Sequence, residues 1–97
     1  MSYFVKQTIN FGTVNKNSSK EIVFKALPTI PTIIDLIASC GCLKMKWYPE
    51  SREIKVIYKA GEIPKQVLGN QNVRKTVTVV YKDRTSEVLE LIGIKLR

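Results

Sequence analysis

Residues 43–59 read LKMKWYPESREIKVIYK, and their alternation decides the fold. Side chains of an extended strand point by turns to opposite faces. Leu43, Met45 and Trp47 therefore share one face, with Lys44, Lys46 and Tyr48 on the other. Pro49 and Glu50 turn the chain, and residues 52–59 then send Ile54, Val56 and Tyr58 inward. Two half-buried strand runs joined by a short turn are the pattern of an all-β domain.

The same period runs in both directions from this stretch. Upstream, residues 4–11 place Val5, Ile9 and Phe11 on one face, and a turn-rich break follows from Gly12 to Ser19. Residues 20–27 put Ile22, Phe24 and Ala26 together, then Pro28 and Pro31 interrupt, since proline cannot donate to a central ladder. Residues 32–40 align Ile34, Leu36, Ala38 and Cys40, with Ile33, Asp35, Ile37 and Ser39 opposite. Downstream, AGEIPKQVLGNQN reads as a surface connection or edge segment. Residues 73–82 then carry Val73, Val77, Val79 and Tyr81 on one face, and Lys82-Asp83-Arg84 turns into 85–96. Short strands at near-regular spacing, with no segment of helical period, predict one all-β domain spanning 1–97: an antiparallel sandwich of about seven strands.

The last strand is apolar on both faces. Leu89 and Leu91 lie on one side, Val88, Ile92 and Ile94 on the other, and Gly93 is a candidate bulge. Such a strand must be covered twice, by a loop or by a neighbouring molecule, and in the second case Val88, Leu89, Leu91, Ile92 and Ile94 are the candidate partner-binding residues, with strand addition as one mode.

Composition narrows the function classes. With 97 residues there is room for one core. The chain has 16 Lys plus Arg against 8 Asp plus Glu, a net charge of +8, which favours anionic partners. The lysines are scattered along strand-like runs, so solvated strand faces are the favoured reading and a dedicated nucleic-acid site the less favoured one. No exposed aromatic stacking platform is legible. Histidine is absent, which removes the commonest general base. No glycine-rich phosphate loop occurs. Asp35, between Ile33 and Ile37, is read as a strand-face residue rather than a buried acid. Enzymatic activity is not expected, nor is a resident cofactor. No run approaches the ~20 apolar residues of a membrane span, and MSYFVKQTINFG lacks the pattern of a secretory signal. The expected location is a virion or the cytoplasm.

Cys40 and Cys42 flank Gly41. In an extended strand their Cα atoms would stand ~7 Å apart, the outer limit for a disulfide, so a stable bridge is not expected. Zinc needs further ligands than two thiolates. Copper(I) takes two or three soft donors, which makes Cys40, Cys42 and Met45 a candidate set, and a redox thiol pair is a further alternative. The favoured reading is a sandwich corner, with Cys40 as a small buried hydrophobe near Trp47.

The order INFGTV, then ASCGC with Trp47 beyond it, then KTVTVVYKD and LELIGIKL resembles a bacterial immunoglobulin-like domain family of unknown function. That family is marked by a Ser-Cys-Gly-Cys signature, here Ser39 to Cys42, and is akin to the hydin-type and major-sperm-protein-like sandwiches. The likeness runs from about Ile9 to Ile94. Leu27-Pro28-Thr29-Ile30-Pro31 and Pro49-Glu50-Ser51 depart from the usual turns of that family. The resemblance implies a seven-stranded immunoglobulin-like sandwich serving adhesion, docking or scaffolding. With the basic balance, it leads to the expectation of a structural subunit present in many copies, such as a phage capsid-decorating or head–tail protein. Thiol or copper(I) handling and nucleic-acid binding are the alternatives.

Overall fold

A computed structural model describes residues 2–97. Its strands are β1 (Thr8–Asn15), β2 (Ser19–Lys25), β3 (Ile33–Ala38), β4 (Leu43–Tyr48), β5 (Glu53–Lys59), β6 (Gln71–Tyr81) and β7 (Ser86–Leu96). They form a four-stranded sheet, β1-β7-β6-β3, and a three-stranded sheet, β2-β5-β4. Apart from its first strand, this is the strand order of an immunoglobulin-type sandwich, in which strands 3, 6 and 7 face strands 2, 5 and 4. The first strand pairs parallel to β7, while every other neighbouring pair is antiparallel. Just before it, the chain touches the opposite sheet. Phe4 bridges Ala26, and the Val5 amide donates to the Lys25 carbonyl at 2.9 Å. The N-terminal segment thus closes one side of both layers.

The core sits between the sheets. Ile22, Phe24 and Ala26 fill it from one layer with Ile54, Val56 and Tyr58; Val73, Val77, Val79, Tyr81, Leu89 and Leu91 fill it from the other. These are the residues that the period of two assigned inward. Leu43 is buried, and Met45 and Trp47 pack against the cluster. Apolar burial at ~25 cal/mol per Å2 is the main stabilising term of such a layer pair.

Three expectations are corrected. The break after Gly12 is instead the second half of β1. Asn10 aligns with Ile92 and Thr13 with Ile94, so Phe11 and Gly12 together oppose Gly93. This is a bulge on β1, not on β7, and Gly12 supports it with a φ of 81°, a value glycine adopts without steric cost. Second, Val5 is exposed, because the strand starts at Thr8, and Phe4 takes the buried place. Third, Ile34 is exposed rather than inward. The register between β3 and β6 shifts from Ile33↔Tyr81 to Asp35↔Val80, which leaves Ile34 as the extra residue and turns Ile33 and Leu36 toward the core.

Candidate functional site

β7 lies between β1 and β6, and from Glu90 to Lys95 both of its edges are paired. Strand addition is closed to that stretch. Its two faces have different fates. Leu89 and Leu91 are fully buried in the core, and the expectation that they meet a partner is corrected: the opposite sheet already covers them. Val88, 52% exposed, and Ile94, 40% exposed, lie on the outer face of the four-stranded sheet, with Ile92 between them half-buried. The cross-strand rows show their company. Val88 aligns with Thr78, which aligns with Ile37, another exposed apolar side chain. Ile92 aligns with Arg74 and with Asn10, and Ile94 with Asn72 and Thr13. Around Ile92 and Ile94 this face dips into an open depression of about 470 Å3, rimmed by Asn10, Asn72 and Arg74. Arg74 is held there by Glu90, with Nε to Oε2 at 2.5 Å.

The outer face of the three-stranded sheet is basic. Lys44, Lys46 and Tyr48 of β4 lie outward beside Lys55 and Lys59 of β5, with Lys25 on β2. Lys46 and Lys55 are direct cross-strand partners, an arrangement that like charges disfavour. Both ammonium groups stand over the Tyr48 ring, at 5.3 and 5.1 Å from its centroid, so the ring quadrupole offsets part of that repulsion. Among the described residues neither lysine has a carboxylate partner. Tyr48 is an exposed aromatic on a basic face, a feature that the sequence reading did not identify because the cross-strand register brings Lys55 to it.

Cys40 and Cys42 are joined as a disulfide, contrary to expectation. The reason is local. β3 ends at Ala38, and the pair lies in the turn before β4, where the Leu43 amide donates to the Cys40 carbonyl at 3.4 Å. That turn brings the Cα atoms to 5.3 Å, inside the bridging range. Both cysteines are half-buried against the core at the corner between β3 and β4, but Cys40 is bridged rather than the unpaired buried hydrophobe expected. Met45 faces inward from β4 and packs against the same core. Closing so short a loop restrains the unfolded chain little, by about 1.5 kcal/mol in the chain-entropy account. A Cys40→Ser, Cys42→Ser double variant should therefore stay folded and lose no more than about that amount in urea-unfolding free energy.

Asp35 is exposed, and its carboxylate accepts the Leu36 amide at 2.9 Å, a strand-face role. No group of three or more His, Cys, Asp or Glu side chains converges among the described residues, and no helix is long and apolar enough to cross a membrane. The strongest polar cluster is Glu87, which accepts from Ser2 Oγ at 2.6 Å, from the Tyr3 amide at 3.1 Å and from the Tyr81 hydroxyl. Burial first, then Glu87, pushes the Tyr81 phenol up, so it stays protonated and donates. Every partner in this cluster is satisfied, and its job is to tie the N-terminal segment to β7. Searches against protein-family models, curated proteins and solved structures match nothing to this chain.

Proposed function

We propose that the chain is a non-catalytic docking module and that the outer face of its four-stranded sheet seats on a subunit of a larger protein assembly. The observation that supports this is the exposure of Val88, in one cross-strand row with Ile37, and of Ile94 further along the same face, which solvent alone would favour as polar. The depression at Ile92 and Ile94 offers a partner's apolar side chain a seat, and Asn10, Asn72 and Arg74 give the polar rim usual at interfaces. A repeating shell is the assembly we favour, a phage capsid or tail among such shells, with the net charge of +8 steering the module toward an acidic surface. The likeness through Ser39 to Cys42 and Trp47 to docking and scaffold sandwiches points the same way.

Isolation of native particles from the producing cells, followed by imaging, tests the reading. The module should be present in fixed stoichiometry. A Val88→Glu, Ile94→Glu double variant should lose at least ten-fold in particle occupancy while its urea midpoint moves little, since both side chains already meet water. Undiminished occupancy would remove this face from the account.

The Lys46–Tyr48–Lys55 cluster favours a second reading, single-strand nucleic-acid binding, in which a base stacks on Tyr48 and phosphates meet the lysines. Binding of a labelled oligothymidine should weaken steeply between low and physiological salt. A flat salt response, or none of the binding lost in Tyr48→Ala, would dispose of it.

A further inference from the structure

β3 is shorter than β6, and the difference leaves part of β6 unpaired. The last contacts between them are Ala38↔Val77 and the Ser39 amide to the Thr76 carbonyl at 3.0 Å. From Gln71 to Lys75, β6 has β7 on one side and no strand on the other. An open cleft of about 460 Å3 lies there. All residues from Gln71 to Lys75 line it, although their side chains alternate between faces. A cleft that meets consecutive residues of a strand runs along that strand's edge, where unpaired backbone groups are presented.

Two lysines line this cleft from the four-stranded sheet. Lys95 lies on the inward side of β7 and is only 7% exposed, yet its ammonium has a single long hydrogen bond, to the Glu62 carbonyl at 3.5 Å. The Glu62 carboxylate is engaged elsewhere, by Asn17 Nδ2 at 2.6 Å and Lys16 Nζ at 3.9 Å. Lys75 lines the same cleft from β6, and Tyr58 from β5. Arg74 belongs to the outer face, bound to Glu90. The Lys95 ammonium thus has no carboxylate partner among the described residues, and an incoming anion would supply one.

We propose that this cleft binds an extended acidic peptide segment, which adds as a strand to β6 between Gln71 and Lys75 and places a carboxylate on Lys95 and Lys75. The backbone edge selects an extended chain, and the lysines select its charge. Tyr58 lines the same cleft with its phenol protonated at neutral pH, and burial pushes that phenol further up. The inference rests on the docking reading in taking a protein segment as ligand, but it uses a surface separate from the Val88–Ile94 face.

The test is a titration of the labelled domain with a blocked alternating Val/Glu heptapeptide, followed by amide and lysine-methylene NMR shifts. Expected are shifts confined to residues 71–76 and Lys95, and at least ten-fold weaker binding for the Val/Gln peptide and for Lys95→Met. Lys75→Met should weaken it by a smaller factor. The Val88→Glu, Ile94→Glu variant should bind the peptide as the parent does, so loss of particle occupancy with intact peptide binding leaves this inference standing. Shifts that map to the Tyr48 face, equal binding of the Val/Gln peptide, or a response of Lys95 to inorganic phosphate alone would overturn it.

Discussion

Gly93→Ala is expected to destabilise the fold by about 2–3 kcal/mol, although it adds one methyl to a strand. The bulge at Phe11 and Gly12 folds the Phe11 ring over Gly93. A Cβ there would lie 2.7 Å from Phe11 Cδ1 and closer still to Cε1 and Cζ. The ring cannot retreat freely, because its other side packs on Tyr58 with centroids 5.8 Å apart. The check is a double-mutant cycle with Phe11→Leu in urea unfolding. The cost of the alanine should fall by at least about 1 kcal/mol in the Phe11→Leu background, where the clashing ring is gone. Equal costs in both backgrounds would mean that the ring does not occupy this place.

Glu87→Ala is expected to cost about 2–4 kcal/mol, and more than Glu87→Gln. Its carboxylate is the common acceptor for the Ser2 hydroxyl, the Tyr3 amide and the Tyr81 hydroxyl. Tyr81 is among the largest fully buried side chains, so removing its acceptor leaves a buried donor unsatisfied, at ~1–3 kcal/mol, in addition to the lost charge-assisted bonds. Glutamine retains an acceptor oxygen and should lose about half as much. The alanine should also free the N-terminal segment. The Val5 amide, bonded to the Lys25 carbonyl, and the Leu27 amide, bonded to the Tyr3 carbonyl at 2.7 Å, should then exchange hydrogen at least ten-fold faster.

The two layers were legible in the sequence because burial in a strand repeats every second residue. Ile22-Phe24, Ile54-Val56-Tyr58, Val77-Val79-Tyr81 and Leu89-Leu91 each carry that period without interruption, and all are core. The misses fall where the period breaks. Ile34 and the Phe11–Gly12 pair are bulges, and a bulge shifts facing by one residue without a signal in composition. The candidate surfaces were half legible. That β7 is apolar on both faces was readable. That it is an interior strand was not, because its parallel pairing with β1 joins opposite ends of the chain. The cysteine bridge was missed because it depends on β3 stopping at Ala38. Lys95 lies buried at an inward position next to apolar neighbours, and only the cleft formed by the 60–70 connection shows what surrounds it.

The claim on which the docking reading depends is that β7 is an interior strand from Glu90 to Lys95, paired on both edges, so that no partner adds to that stretch as a strand. Residue-resolved amide hydrogen exchange tests this most directly. The expected result is slow exchange for amides on both edges of β7 between Glu90 and Lys95, including Glu90, whose amide donates to the Gln7 carbonyl at 2.7 Å. Fast exchange at every second amide of that stretch, the pattern of an edge strand, would contradict it.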